Sequence, residues 1–350
     1  MKTIKDINVR NKTALVRVDY NVPLENGKIT SDLRIRASLP TLQYLREKGA
    51  KKIILLSHLG RPEGRDKSLS LKPVASALND LIGNVTFIDD VSGPDVESAA
   101  KKTKNGGILL LENLRFSAGE EKNSPDYIRE IIDSVNPDFY VQDGFAVVHR
   151  AHASTDAVKE YLPVYAGLLV EKEVENLSKV ISHPAKPFLM IIGGSKVEDK
   201  QPLIDRFAPK ADQIVVGGKI AADGYKSTHK NVYVAEDFDE DAEGHKLDTG
   251  PVSTGKIANY ITDAKTIVWN GLLGKAEDPA YATSSTIVAE LMGEKEDATT
   301  IICGGDTAGF VENLTAEHKS LKYSLLSTGG GAALEYLLGK KLPGLEAIEQ

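Results

Sequence analysis

The sequence predicts an α/β protein made of two doubly wound, Rossmann-like parallel-sheet domains. Three observations carry this. Short apolar runs rich in β-formers alternate with helix-patterned segments along the whole chain, which is the mark of βαβ units. There are about ten such runs, which divide naturally into two sheets. At 350 residues, 41% hydrophobic and 27% charged, the chain suits two soluble domains of ordinary size, each able to bury a core.

The expected strands of the first half are Thr13 to Val18, Ile53 to Leu56, Val85 to Ile88, Ile108 to Leu111 and Phe139 to Val141. Those of the second half are Phe188 to Ile192, Gln213 to Val216, Asn231 to Ala235, Thr266 to Trp269 and Thr299 to Cys303. Helical patterns lie between them, at Arg34 to Lys48, Lys72 to Ile82, Pro125 to Val135, Thr254 to Thr262 and Thr283 to Met292. Near Pro163 a charged helical pattern begins, with Leu177 and Val180 on one side, and it ends at SHPAKP. It reads as a connecting helix over 166–186, or alternatively as a surface helix within one domain. The expected division is therefore 1–165, the helix 166–186, a second domain 187–326, and a segment 327–350 returning toward the first domain. The acidic run Glu236 to Glu243 reads as a solvated loop rather than a metal site.

Composition excludes several functions. A formal charge of −7 argues against general nucleic-acid or anionic-membrane binding, so a basic cluster would be a local site. Cys303 is the only cysteine, which rules out an intrachain disulfide and a cysteine-rich metal centre. MKTIKDINVR lacks the apolar core of a signal peptide and no run is long enough to span a bilayer, so a cytoplasmic protein is the default.

Ligands of open parallel sheets bind beyond the carboxyl ends of the strands, and those ends differ between the halves. In the first half they run into RVDYN, SHLGRP, ENLRF and DGFAVVHRAH, placing His58, Arg61, Arg115, His149, Arg150 and His152 near one rim, with Arg34 opening the following helix. Each arginine alone reads as a surface ion pair; together they suit recognition of a small anion, because guanidinium forks match phosphate and carboxylate oxygens.

In the second half the ends are glycine-rich: Gly193-Gly194, Gly217-Gly218, Asn270-Gly271, Gly304-Gly305 and the STGGG at Ser327 to Gly331, which opens the last helix. In FLMIIGGSKVEDK a buried strand stops at two glycines before a helix start, and Lys196 and Lys200 add charge one turn apart. A tight turn is the plain reading of one glycine pair, and the phosphates of a nucleotide are the reading of the set. Asp306 is either a helix N-cap or a Mg²⁺ ligand. Neither GxxxxGK[ST], HRD, DFG nor GxGxxG occurs, which excludes P-loop, protein-kinase and dinucleotide signatures.

RVDYNVPL, SHLGRP, LSLKPVA, LLENLRF, HRAHAS, GGSKVEDK, IVWNG, GGDT and STGGGAALEYL follow one another in the order found in the phosphoglycerate kinase family, which the chain resembles over almost its whole length. The resemblance implies reversible, Mg²⁺-dependent phosphoryl transfer between ATP and 3-phosphoglycerate, giving ADP and 1,3-bisphosphoglycerate, in a monomer. The acceptor carboxylate is already ionised at neutral pH, so no general base is needed. By position, Asp19, Asn21, Arg34, His58, Arg61, Arg115 and Arg150 resemble the phosphoglycerate site. Arg34, Lys196 and Lys200 match the surroundings of the transferring group, with amides of Gly305 and Gly330. Gly194, Ser195, Lys196, Lys200, Gly217, Gly218, Asn270, Glu277, Asp306 and Thr307 resemble the nucleotide side, with Asp306 on the metal.

The chain departs from the family pattern at Lys219 for a glycine, Leu272 for a proline, Ser195 for an alanine, and Gln142 and Gly144 in QDGF. After Gly217-Gly218 roughly two family helices are reduced to Lys219 to Lys230, which predicts a loosely held base unless the residues around Tyr225 fold over it. A non-catalytic phosphoglycerate kinase-like binding protein is the competing expectation.

Overall fold

The computed structural model describes residues 1–318 and 320–349. The chain divides into two compact units, Met1–Glu173 with Lys341–Gln350, and Val174–Lys340. The first contains β1 (Thr13–Arg17), β2 (Leu24–Glu25), β3 (Lys28–Ile29), α1 (Leu33–Glu47), β4 (Lys52–Leu56), α2 (Lys72–Ile82), β5 (Val85–Phe87), α3 (Pro94–Lys102), β6 (Gly107–Leu110), α4 (Ala118–Glu121), α5 (Pro125–Val135), β7 (Phe139–Gln142) and β8 (Val164–Ala166). Helix α6 (Leu168–Ser182) crosses the division. The second unit follows with β9 (Phe188–Ile192), α7 (Val197–Phe207), β10 (Gln213–Val216), α8 (Gly218–Ala222), β11 (Val232–Val234), β12 (Phe238–Glu240), β13 (Lys246–Thr249), α9 (Pro251–Asp263), β14 (Thr266–Asn270), α10 (Thr283–Gly293), β15 (Thr299–Cys303), α11 (Gly305–Glu317), β16 (Leu325–Leu326) and α12 (Gly331–Leu337). The last helix, α13 (Pro343–Glu349), belongs to the first unit.

Among the described residues the strands form two six-stranded parallel sheets, ordered β5-β6-β4-β1-β7-β8 and β11-β10-β9-β14-β15-β16. The centre of each is apolar because both faces are covered. Every residue of β1, β9 and β14 is buried, and each fully buried Val, Leu or Ile is worth about 1.5–3 kcal/mol. Local chemistry sets the helix starts. In α5, Ser124 accepts from the Tyr127 amide, Pro125 occupies the first turn, and Asn136 closes the helix at φ 46°.

The strand and helix expectations hold to within a few residues, with the exceptions of shorter elements. β8 and β16 are three and two residues long, too short for a periodic signal. The acidic run is not all loop: Phe238–Glu240 pairs antiparallel with Lys246–Thr249, and the Asp237 carboxylate accepts from the Val252 and Ser253 amides at the start of α9. Nor are its carboxylates dispersed, since Asp241 and Glu243 lie with His245 so that one ligand atom of each falls within 4.8 Å of the others. STGGG opens α12, not the last helix, and 327–340 stays with the second unit while Lys341 onward joins the first. No helix among the described residues is long and apolar enough to cross a membrane.

Candidate active site

The first unit's site grows from one buried arginine, the first residue of RVDYN, that was not among the candidate site residues. Arg17 ends β1 fully buried, and its Nε donates to Ser154 Oγ at 2.8 Å. Its charge is answered by the equally buried Glu120 at 3.9 Å. Arg17 Nη2 lies 3.1 Å from His58 Nδ1. A guanidinium can only donate, so Nδ1 must accept, and the His58 proton sits on Nε2. Burial, then the charges of Arg17, Arg115, Arg150 and Arg34, hold His58 well below its ordinary pKa, so it is a neutral donor.

The neighbouring loops fix the rest. Asp19, two residues past β1, ion-pairs with Arg34 from the first turn of α1 and accepts from the Asn21 amide at 3.0 Å. Asn21 Oδ1 in turn accepts from the Gly60 amide at 2.8 Å, and Arg115 Nη1 donates to the Gly60 carbonyl at 2.7 Å, so SHLGRP is held from both sides. Burial first, then Arg150, pulls Arg115 down to about 10. Arg150 is lowered by burial and then by Arg61, which is itself exposed. Burial, then the charges of Arg115, Arg17 and Arg150, push His152 down to about 4. Thus Asp19, Asn21, Arg34, His58, Arg61, Arg115 and Arg150 do converge, and guanidinium groups outnumber the nearby carboxylates of Asp19, Glu120 and Glu121. The cationic excess suits a multiply charged small anion.

In the second unit a cavity of about 540 Å³ opens beyond the carboxyl ends of the strands. Gly194, Ser195, Lys196, Lys200, Glu277, Gly305, Asp306, Thr307 and Gly330, all named from the sequence, line it. Lys196 is the extended residue before α7 and is exposed; Lys200, one turn on, donates from Nζ to Asn270 Oδ1, and burial lowers its pKa. Asp306 is not an N-cap. Gly304 holds that position, and Asp306 points its exposed carboxylate from the first turn of α11.

Three predicted residues lie beneath the cavity rather than on its lining. Asn270 is buried, bridging Lys200 and the Cys303 carbonyl. The Gly218 amide is taken by Thr249 Oγ1 at 3.1 Å, and a Cβ on Gly217 would stand 2.7 Å from Leu273 Cδ2. These glycines let loops pack on one another. The same holds for Gly193 and Gly271, where a Cβ on Gly271 would come within 2.2 Å of the Gly193 carbonyl oxygen. Sequence reasoning missed the lining residues Lys219, Lys246, Leu247 and Lys275, which come from helix α8, strand β13 and the loop after β14 and share no motif.

A guanidinium-rich rim on one parallel sheet and a glycine- and lysine-lined cavity on another mark an α/β protein suited to anionic ligands. Comparison with known proteins narrows the class. A family model described as phosphoglycerate kinase matches residues 4–235 and 223–340. The chain is 40% identical over 395 aligned positions to the phosphoglycerate kinase of Moorella thermoacetica, covering 99% of each, and 38% identical to that of Dictyoglomus turgidum, covering 99% of this chain and 98% of the other. The solved phosphoglycerate kinase of Coxiella burnetii superposes with a TM-score of 0.79 at 33% identity over 99% of this chain and 98% of that one. That of Pyrococcus horikoshii gives 0.87 at 27% identity over 100% and 98%. The chain belongs to the phosphoglycerate kinase family.

The shortening is visible in the same comparison. The 395 aligned positions exceed this chain's 350 residues by 45, and the two pieces of the family match meet at residues 223–235. There the five-residue helix α8 leads through 223–231 directly into β11.

Proposed function

We propose that this chain catalyses reversible, Mg²⁺-dependent phosphoryl transfer between ATP and the carboxylate of 3-phosphoglycerate, giving ADP and 1,3-bisphosphoglycerate, as a cytoplasmic monomer serving glycolysis and gluconeogenesis. The observation that carries it is the convergence of four arginine charges on one neutral, tautomer-fixed histidine, His58. Such a site binds a ligand with two anionic ends, and its proton donor does not itself add charge. Asn21, His58, Arg61, Arg115 and Arg150 hold the phosphoglycerate, while Asp19 orients Arg34 toward the group in transfer.

On the second unit, Lys196 and Lys200 face the transferring phosphoryl group and the amides of Gly305 and Gly330 receive its oxygens. Gly194, Ser195, Glu277 and Thr307 line the nucleotide, with Gly217, Gly218 and Asn270 supporting them from below. Mg²⁺ fits here: it takes one or two carboxylates and completes its shell with phosphate oxygens and water, and Asp306 offers one exposed carboxylate on the lining. When bound it neutralises charge on the phosphates. The acceptor oxygen and the terminal phosphorus must be brought in line with water excluded, and we assign that to hinge motion at α6 and at Lys340 to Lys341.

The test is a coupled assay of ATP-dependent phosphorylation of 3-phosphoglycerate. The shortened segment favours a second reading, a binding protein without turnover. Tight 3-phosphoglycerate binding with no transfer from any donor would establish that reading instead.

A further inference from the structure

Lysine lines the cavity well beyond the GGSK segment. Lys219, Lys246 and Lys275 come from α8, β13 and the loop after β14, and join Lys196 and Lys200 on the lining. Against these five ammonium groups stand the carboxylates of Asp199, Glu277 and Asp306. The three added lysines are only weakly committed. Lys219 makes an exposed pair at 2.9 Å with Asp223, the residue that caps its helix, of the kind worth little in water. Lys246 lies 4.8 Å from the centre of the Phe238 ring. Lys275 has no side-chain ion-pair partner among the described residues.

What is missing matters as much. Sites that select a purine are mostly apolar or aromatic, with a few placed polar groups. None of the described residues lining this cavity is aromatic, and Leu247, Leu272 and Leu334 are the large apolar ones. The segment that follows Gly218 is the one the chain has shortened relative to its relatives. A cavity of about 540 Å³ with cations spread along it suits a chain of phosphates better than a base.

We propose that this cavity also accepts linear inorganic polyphosphate as phosphoryl donor, alongside a nucleoside triphosphate, the terminal phosphate lying at Lys196 and Lys200 and the rest of the chain running along Lys219, Lys246 and Lys275. This rests on the reading of the cavity as the donor site. A carboxylate oxygen of the acceptor attacks the terminal phosphorus, forming the acyl phosphate bond. The bridging P–O bond breaks and its electron pair leaves on a polyphosphate shortened by one unit. No oxidant and no proton donor is required.

The experiment supplies 3-phosphoglycerate and Mg²⁺ with either tripolyphosphate or ATP and traps the acyl phosphate with hydroxylamine as a hydroxamate. Hydroxamate should form with tripolyphosphate at a kcat/KM within about tenfold of that with ATP, and should fall more steeply with added salt. The combined variant Lys219→Ala, Lys246→Ala and Lys275→Ala should lower the tripolyphosphate value about tenfold or more relative to the ATP value. Product from ATP, with tripolyphosphate neither reacting nor competing, would overturn the inference and leave the proposed function standing. An unchanged donor ratio in the triple variant would overturn the role of the lysines. No product from either donor would overturn the functional reading and this one with it.

Discussion

Asp143 provides a quantitative test of how the first unit is held together. It lies fully buried just past β7, and its Oδ1 accepts from the Leu169 amide of α6 at 3.0 Å. Burial raises its pKa to about 7, against the pull of hydrogen bonds from the Thr41 hydroxyl and the Leu169 and Val170 amides. In the unfolded chain the carboxyl titrates near its ordinary value of 3.8. Between these values the folded protein keeps a proton that the unfolded chain has released. The group's stabilising contribution is therefore complete below about pH 4, is lost as pH rises toward 7, and is flat above. Three units at 1.36 kcal/mol each make the loss about 4 kcal/mol. Asp143→Asn keeps an oxygen for the Leu169 amide and has no proton to lose. Urea unfolding of both proteins, followed by far-UV circular dichroism at about pH 4.5 and about pH 7.5, isolates this group from the others that titrate in the window. Relative to the native chain, the variant should gain about 3–4 kcal/mol between the two pH values. An identical stability difference at both would refute the buried, proton-retaining carboxyl.

Lys196→Ala should lower kcat by about two orders of magnitude or more with little change in 3-phosphoglycerate affinity, since a cation on the transferring group acts chiefly in the transition state; steady-state kinetics with calorimetry checks it. Arg61→Ala and Arg150→Ala should weaken 3-phosphoglycerate binding, more at low salt than at high, and calorimetry showing native affinity would reduce either to a structural role. The shortened segment should cost about 1–3 kcal/mol of base contact, so ATP and GTP should have similar kcat/KM, and strong rejection of GTP would show a base pocket rebuilt around Tyr225. Gly271→Ala places a Cβ at φ 100° within 2.2 Å of the Gly193 carbonyl oxygen, which should lower the thermal midpoint by several degrees and lower it far more than Gly224→Ala, whose Cβ meets open space.

Much of this was legible in the residues. βαβ alternation gives strands such as Phe188–Ile192 and Thr299–Cys303 to the residue, because fully buried parallel strands are unbroken apolar runs bounded by polar or glycine stops. The arginine rim was legible because strand ends carry ligands in this architecture. Arg17 was not, since a charged residue within a strand gives no sign of whether it is buried until Glu120 and Ser154 arrive from more than 100 positions away. Lys219, Lys246 and Lys275 were missed for the same reason: their shared cavity is a product of the topology. What the sequence did not disclose at Gly217 and Gly218 is their loop packing, where a Cβ on Gly217 would meet Leu273 and the Gly218 amide donates to Thr249 Oγ1.

The first unit is completed by 341–350, which follow the whole second unit in sequence. Helix α13 packs on β8, the Gly344 amide donates to the Val148 carbonyl at 2.9 Å, and Ala347 and Ile348 are buried there. Throughout translation of 174–340 the nascent first unit lacks that helix, so the apolar surface it covers stays open to water, and to other nascent chains on the same message. The second unit has no such debt, being continuous in sequence. A chain truncated before Lys341 would thus keep all the strands of both six-stranded sheets, while the surface that α13 covers on the first unit stayed open to water.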